Sequence, residues 1–228
     1  MNITPDELCR ALHLASPALP IGSFSYSQGL ETAVECGLVR NEAEADKWIA
    51  DGLTNIIGRC DGPVTAFVHR AWRVGPSAFA EVRYWNSWFL ASRESIELRR
   101  ETEQMGWSLL RLAAELHWMG AQNPVSVLGP VAFPIAFGAA AAGLDLSETT
   151  TLNAFCFSWL EAQVPAAMKL VPLGQIAGHR ILTRCRAMVP AVTNRALKAT
   201  PEQVSSFAPM LGILSARHEH QYTRLFRS

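Results

Sequence analysis

Two histidines near the carboxyl end are the first candidates for metal or hydrolytic chemistry. His218, Glu219 and His220 begin like the H-E-x-x-H motif of zinc proteases, but Tyr222 stands where that motif needs its second histidine ligand. His218 and His220 are two residues apart, so on a helix their side chains point about 200° apart and cannot bind one metal ion. The pattern favours a polar helix face over the alternative, a transient metal contact.

Nucleotide and nucleophile motifs are absent from the sequence. None of the three lysines follows a glycine in a G-x-x-x-x-G-K-[ST] loop, and no serine stands in G-x-S-x-G. The five cysteines form no C-x-x-C or other close pair, and their number is odd, which favours a reducing cytosol over a zinc site or disulfide framework. The sequence therefore predicts no catalytic residue, no metal site and no stably bound cofactor.

One lysine is isolated in an apolar environment. Lys169 is the only charged residue between Glu161 and Arg180, with apolar residues on both sides of it. Because an unpaired buried ammonium is costly, this side chain must reach water or a carboxylate. Lys169 is therefore a candidate for either a solvent-reaching side chain or a functional contact.

The segment 16–31 has the pattern of a corner between two helices. Two prolines three residues apart exclude helix over 16–20, Gly22 permits a turn, and Ser23 or Ser25 can cap a following helix.

The segment 203–228 has an amphipathic pattern. Its apolar and aromatic residues recur at i, i+3 and i+4, and they form one predicted helical stripe: Phe207, Met210, Leu211, Leu214, His218, Gln221, Tyr222, Leu225 and Phe226. Arg217 and Arg224, seven apart, would share a face, with Arg227 beside it. Aromatic and arginine residues are typical anchors of protein interfaces, so we predict a partner-docking helix, with a plain core helix as the alternative.

These two segments resemble the urease accessory protein UreF family. Its patterns S-P-x-L-P-x-G-x-F-x-x-S-x-G-L-E and S-A-R-H-E-x-Q-Y-x-R-L-F-x-S are filled at every fixed position by residues 16–31 and 215–228. The resemblance makes residues 16–31 an N-terminal signature, whose marked positions are Ser16, Pro17, Pro20, Gly22, Ser27, Gly29 and Glu31. The charged stretch Arg93 to Glu103 and the sequence K-L-V-P-L-G-Q at 169–175 are also similar to the family's. From the residues alone, this charged stretch suits a solvated helix with weak ion pairs and a partner-facing surface equally.

The resemblance implies a non-enzymatic chaperone for assembly of the nickel centre of urease. Such proteins are all-helical dimers that join UreD (also called UreH) and the GTPase UreG to the urease apoprotein, with UreE as nickel donor. Nickel and GTP would then act through the complex. Lys169 matches a family position implicated in control of that complex. The predicted partner-binding residues are Lys169, Arg217, Tyr222, Arg224, Leu225, Phe226 and Arg227.

The elements that must position these residues are helices. Apolar residues recur at helical spacing and nowhere alternate strictly, which predicts an all-α, single-domain bundle of roughly ten helices over residues 1–228. The predicted helices cover about 5–13, 25–36, 42–58, 62–73, 77–92, 94–118, 130–142, 148–169, 173–198 and 203–226. Thr4 before Pro5, Asn41 before Glu44, and Ser147 are the predicted helix caps.

Charge and hydropathy exclude some other functions. Residues 1–168 carry a net charge of −7 and residues 169–228 one of +7, which indicates an acidic partner or pairing between the two parts rather than nucleic acid. The 29 uncharged residues 116–144 are interrupted by prolines and glycines, including Pro124, so we expect a core helix and not a membrane span. No signal peptide is recognisable, so we expect a cytoplasmic protein.

Two rival functions remain from the residues alone. A small helical metalloenzyme would use His179, His218 or His220 with nearby carboxylates, and it would hold a stoichiometric metal ion. A peripheral membrane protein would sediment with lipid vesicles.

Overall fold

The regular structure is helical throughout the part of the chain that the structure describes. The structure is a computed structural model that describes residues 3–119 and 128–228. Its α-helices are α1 Pro5–Leu14, α2 Leu30–Glu35, α3 Glu42–Gly52, α4 Gly62–Val74, α5 Phe79–Ala91, α6 Ile96–Glu115, α7 Phe133–Gly143, α8 Glu148–Leu170, α9 Gln175–Lys198 and α10 Pro209–His218. A π-helix, Leu53–Asp61, joins α3 to α4. The predicted all-α class is confirmed.

Side-chain caps explain where four of these helices begin. The side chains of Thr4, Asn41, Ser95 and Ser147 each accept a hydrogen bond from a backbone N–H in the first turn of the helix that follows. Each bond satisfies a donor that has no partner within the helix. The caps predicted at Thr4, Asn41 and Ser147 are confirmed.

Helix α7 lies at the centre of the bundle, where it packs against α4 and α6. Gly138 brings α7 close to α4, since a Cβ added there would lie 2.7 Å from the carbonyl oxygen of Thr65. Residues 134–142 are all buried. The uncharged stretch thus supplies a core helix, as predicted, although Pro124 lies outside the described residues. Among the described helices, none combines the length and apolar character that crossing a bilayer requires.

Two predicted helices have wrong boundaries. Helix α2 begins at Leu30 rather than near residue 25, because Gln28 and Gly29 adopt left-handed backbone angles with φ of 51° and 77°. A short 3₁₀ turn, Ser23–Ser25, precedes them. The last helix is also shorter than predicted. Helix α10 covers Pro209–His218, and residues 219–228 continue as turns and irregular chain.

The charge imbalance along the sequence is partly neutralised within the fold. Helix α9, from the basic part, packs on α3, from the acidic part. Arg180 pairs with Glu42 at 2.6 Å, and Arg184 pairs with Asp46 at 3.1 Å. Ion pairs between the two parts of the chain therefore neutralise some of the opposite net charges that the two parts carry.

Candidate functional site

The N-terminal signature and the segment 219–228, which we call the tail, meet in the folded protein. They meet on a face of α6 that carries two buried glutamates, Glu97 and Glu101, next to Glu31 of α2. We call Glu31, Glu97 and Glu101 the carboxylate cluster. Their exposed fractions are 6%, 9% and 4%. Because a buried carboxylate needs hydrogen bonds or a counter-charge, the groups around the cluster determine whether the tail can lie there.

Glu31 binds the backbone of the tail. Its Oε1 accepts the Leu225 N–H at 2.6 Å, and its Oε2 accepts the Phe226 N–H at 2.9 Å. The Oε2 atom also lies 3.1 Å from Nε2 of His218, at the end of α10. One carboxylate therefore replaces the helical acceptors that two tail amides would otherwise use.

His218 lies between two carboxylates. Its side chain is fully buried, with Nδ1 at 2.7 Å from Oε2 of Glu97 and Nε2 at 3.1 Å from Oε2 of Glu31. An ionised carboxylate only accepts hydrogen bonds, so with both glutamates ionised the two contacts need a donor from each ring nitrogen. Arg224 pairs with the other oxygen of Glu97 at 2.7 Å. His218 is buried and contacts two glutamates of the same chain, so the predicted polar helix face is wrong for this residue.

Glu101 joins the tail to the N-terminal signature. Its Oε1 accepts from the Gln28 side-chain amide at 2.6 Å, and its Oε2 accepts from the Ser228 hydroxyl at 2.6 Å. Burial raises the pKa of Glu101 from 4.5 to about 7, and these hydrogen bonds offset only part of that effect. The indole N–H of Trp159, on α8, donates to Gln28 Oε1 at 2.8 Å. Gln28 thus connects α8, α6 and the start of α2.

The signature backbone also holds the tail directly. The Ser27 N–H and hydroxyl both donate to the carbonyl oxygen of Ser228, at 2.7 and 2.6 Å. The Arg227 N–H donates to the carbonyl oxygen of Ser25 at 2.7 Å. Of the marked signature positions, Ser27 and Glu31 therefore contact the tail, and Gly29 supplies the turn that places them.

The other marked signature positions form the corner before α2. Ser16 accepts the Ala18 N–H through its hydroxyl at 3.2 Å. Pro17 and Pro20 are exposed, and Gly22 has a left-handed φ of 82°. These four residues shape the chain path and lie outside the carboxylate cluster, so a binding role for them stays a prediction.

A second buried charged pair lies beside the cluster, at the end of the π-helix. Arg93 and Asp61 approach to 3.8 Å, and the Arg93 guanidinium lies 4.0 Å from the centre of the Phe89 ring. Burial raises the pKa of Asp61. Both residues and Glu101 line a partly open pocket of about 70 Å³. The charged stretch Arg93 to Glu103, for which the sequence favoured neither solvent nor a partner, mainly makes contacts within the chain.

The predicted partner-binding residues divide into outward and inward groups. Tyr222 is 103% and Leu225 63% exposed, whereas Phe226 is only 6% exposed. Arg217, Arg224 and Arg227 reach the surface. The predicted continuous stripe and the common helical face of Arg217 and Arg224 are wrong, because the chain leaves the helix after His218. Docking of a partner by these residues stays a prediction.

Lys169 reaches solvent at the end of α8. Its Nζ lies 5.6 Å from the centre of the Phe226 ring, at the inner side of the tail. The Lys169 side chain therefore reaches water rather than a carboxylate, and its ammonium group also lies near an aromatic ring. Lys169 thus lies beside the tail, which holds most of the other predicted partner-binding residues.

Sequence reasoning missed the inward roles of Glu97, Glu101, Gln28 and Trp159. The available signal was the spacing of Glu97 and Glu101, which share one helix face four residues apart, with Leu98, Thr102 and Met105 beside them. Within residues 3–119 and 128–228, no group of three or more His, Cys, Asp or Glu side chains is arranged to hold a metal ion.

Comparison with known proteins gives the family. The model of the UreF family matches residues 39–186. The chain is 51% identical to the urease accessory protein UreF of Cupriavidus necator, over 97% of this chain and 98% of that protein. It is 50% identical to the UreF of Cupriavidus taiwanensis, with the same coverage of both chains. The chain therefore belongs to the UreF family of non-enzymatic urease accessory proteins, which act in urease maturation.

Proposed function

We propose that this protein is a scaffold and regulator in a complex with UreD and UreG, which couples GTP hydrolysis by UreG to nickel insertion into the urease apoprotein. In this proposal the protein is a cytoplasmic homodimer, UreE donates the nickel, and the chain itself binds neither nickel nor GTP stably. Family membership supports the role in urease maturation, and the absence of a G-x-x-x-x-G-K-[ST] motif from the sequence supports a partner as the site of GTP binding.

The observation that carries the scaffold role is the outer side of the tail. The tail backbone is held by Glu31, Ser27 and Ser25, which leaves the side chains of Tyr222 and Leu225 directed to solvent. An ordered segment that exposes an aromatic and a large aliphatic side chain has the composition of an interface anchor. Because the tail is already ordered, a partner that binds there loses less conformational entropy.

The test removes these two side chains without touching the buried contacts. We expect the double substitution Tyr222→Ala with Leu225→Ala to leave helicity unchanged and to weaken capture of UreD or UreG by about thirtyfold or more, as loss of interface anchors does. Binding of the purified partners is measured by calorimetry. Arg224→Ala is less suitable, because Arg224 also pairs with buried Glu97.

A matched control comes from α9. Ile176 is 70% exposed, similar to Leu225, and lies on a different element. Ile176→Ala is expected to bind partners as the unsubstituted protein does. If the double variant binds UreD and UreG as tightly as this control, the tail is not the docking surface. If the unsubstituted protein captures neither partner, the scaffold proposal itself is wrong.

A further inference from the structure

The tail is held mainly by polar contacts. Phe226 is its one large apolar side chain with less than a tenth of its surface exposed, whereas Tyr222 and Leu225 point outward. Its backbone N–H groups and hydroxyl are bound by Glu31, Ser25 and Glu101. A segment attached in this way loses its attachment when the charges of the groups that hold it change.

His218 is the titratable group that faces both sides of this attachment. On the α2 side it meets Glu31, and on the α6 side it meets Glu97. From the tail, Arg224 approaches the second oxygen of Glu97, and Glu101 lies one turn further along α6, bound to Ser228. With His218 and Arg224 charged, two cations balance the two carboxylates of Glu31 and Glu97. Loss of the imidazolium proton leaves one carboxylate without a counter-charge in a buried site.

Loss of the proton also breaks a hydrogen bond. A neutral imidazole donates through one ring nitrogen only, so the other nitrogen would direct a lone pair at a carboxylate oxygen that has no proton to offer. The distances of 2.7 and 3.1 Å are too short for two acceptors to remain opposed without a proton between them. While both glutamates are ionised, the closed arrangement therefore needs a proton on each ring nitrogen of His218.

We propose that residues 219–228 form a proton-controlled clasp, closed on Glu31 and Glu97 while His218 carries both ring protons and open when one is lost. Opening separates Glu31 and Glu97 from the tail, so that water can reach both carboxylates. This inference concerns the isolated chain, and it does not depend on which partner the tail contacts.

The decisive variant is Glu97→Gln. A glutamine at 97 can donate its amide N–H to a bare Nδ1 of neutral His218, while its oxygen accepts from Arg224 and the His218 Nε2–H donates to Glu31. Every contact is then satisfied without the second ring proton. Glu97→Gln is therefore expected to keep the clasp closed at a pH where the unsubstituted protein opens. Glu103→Gln removes a carboxylate from the same helix at a partly exposed position paired with Arg99, and is the matched control.

The experiment measures amide hydrogen exchange of peptides from residues 219–228 by mass spectrometry near pH 6 and near pH 9, corrected for the intrinsic rates. Peptides from α4 and α7 report whether the core stays folded. We expect the protection of the tail to fall by about tenfold to a hundredfold at the higher pH in the unsubstituted protein and in Glu103→Gln, as loss of one charged hydrogen bond predicts. Protection in Glu97→Gln is expected to stay unchanged.

Two results would overturn the proposal. Tail protection that is equal at both pH values in the unsubstituted protein means that no proton controls the clasp. A fall in Glu97→Gln equal to that in the unsubstituted protein assigns the control to another group, such as Glu101, and removes it from His218. Binding of urease accessory proteins is not part of this readout, so the outcome is separate from that of the scaffold proposal.

Discussion

Glu101→Gln tests the energetic cost of the carboxylate cluster. Glu101 is 4% exposed, and burial raises its pKa from 4.5 to about 7. At about 1.4 kcal/mol for each pKa unit, the ionised form is disfavoured by about 3 kcal/mol in the folded protein relative to the unfolded chain. A glutamine removes this ionisation, and it can still accept from Gln28 and donate to Ser228.

The pH dependence follows from the direction of the shift. The unfolded chain releases the Glu101 proton near pH 4.5, and the folded protein holds it until about pH 7, so the folded state binds more protons between these values. The contribution to stability is therefore complete below pH 4.5 and is lost as the pH rises through 7. We expect Glu101→Gln to match the unsubstituted protein near pH 4.5 and to be more stable by about 1 to 3 kcal/mol at pH 8.

The assay is urea unfolding followed by circular dichroism at several pH values between 4.5 and 8. The quantity compared is the difference in the free energy of unfolding between Glu101→Gln and the unsubstituted protein. Glu103→Gln, two residues away on α6 and paired at the surface with Arg99, controls for removal of a helix charge. A difference that does not grow with pH, or that grows equally in the control, refutes the assignment of a buried, proton-holding Glu101.

Two further predictions concern the neighbouring charges. Arg93→Ala leaves Asp61 without its counter-charge in a site where both side chains are at least 86% buried, and we expect the free energy of unfolding to fall by about 3 kcal/mol in urea titrations. A loss below about 1 kcal/mol would mean that water solvates Asp61. Lys169→Ala removes an exposed side chain with one aromatic contact, so we expect stability to change by less than about 1 kcal/mol in urea titrations, while urease activation by the reconstituted complex changes. Stability loss with activation reduced only in proportion would make Lys169 a structural residue.

Local patterns in the sequence determined most of the helices. The spacing of apolar residues, the caps at Asn41 and Ser147 and the breaks at prolines act over a few residues, so they can be read without knowing what lies far along the chain. The same local information predicted a helix through residue 226. That prediction was wrong because Glu31, nearly two hundred residues earlier, accepts the N–H groups of Leu225 and Phe226 that a helix would have bonded internally.

Only the tertiary structure decided which polar residues meet. The sequence places Ser27, Glu97, His218 and Ser228 in three separate segments, and each residue alone suits a solvated surface. Packing of α10 against α2 and α6 brings the segments together. Because water is excluded there, each buried polar group then needs a hydrogen-bond partner or a counter-charge. Burial is a property of the assembled helices and not of any segment. Periodicity can therefore place Glu97 and Glu101 on one face of α6, but it cannot show that Glu31 and the tail meet them there.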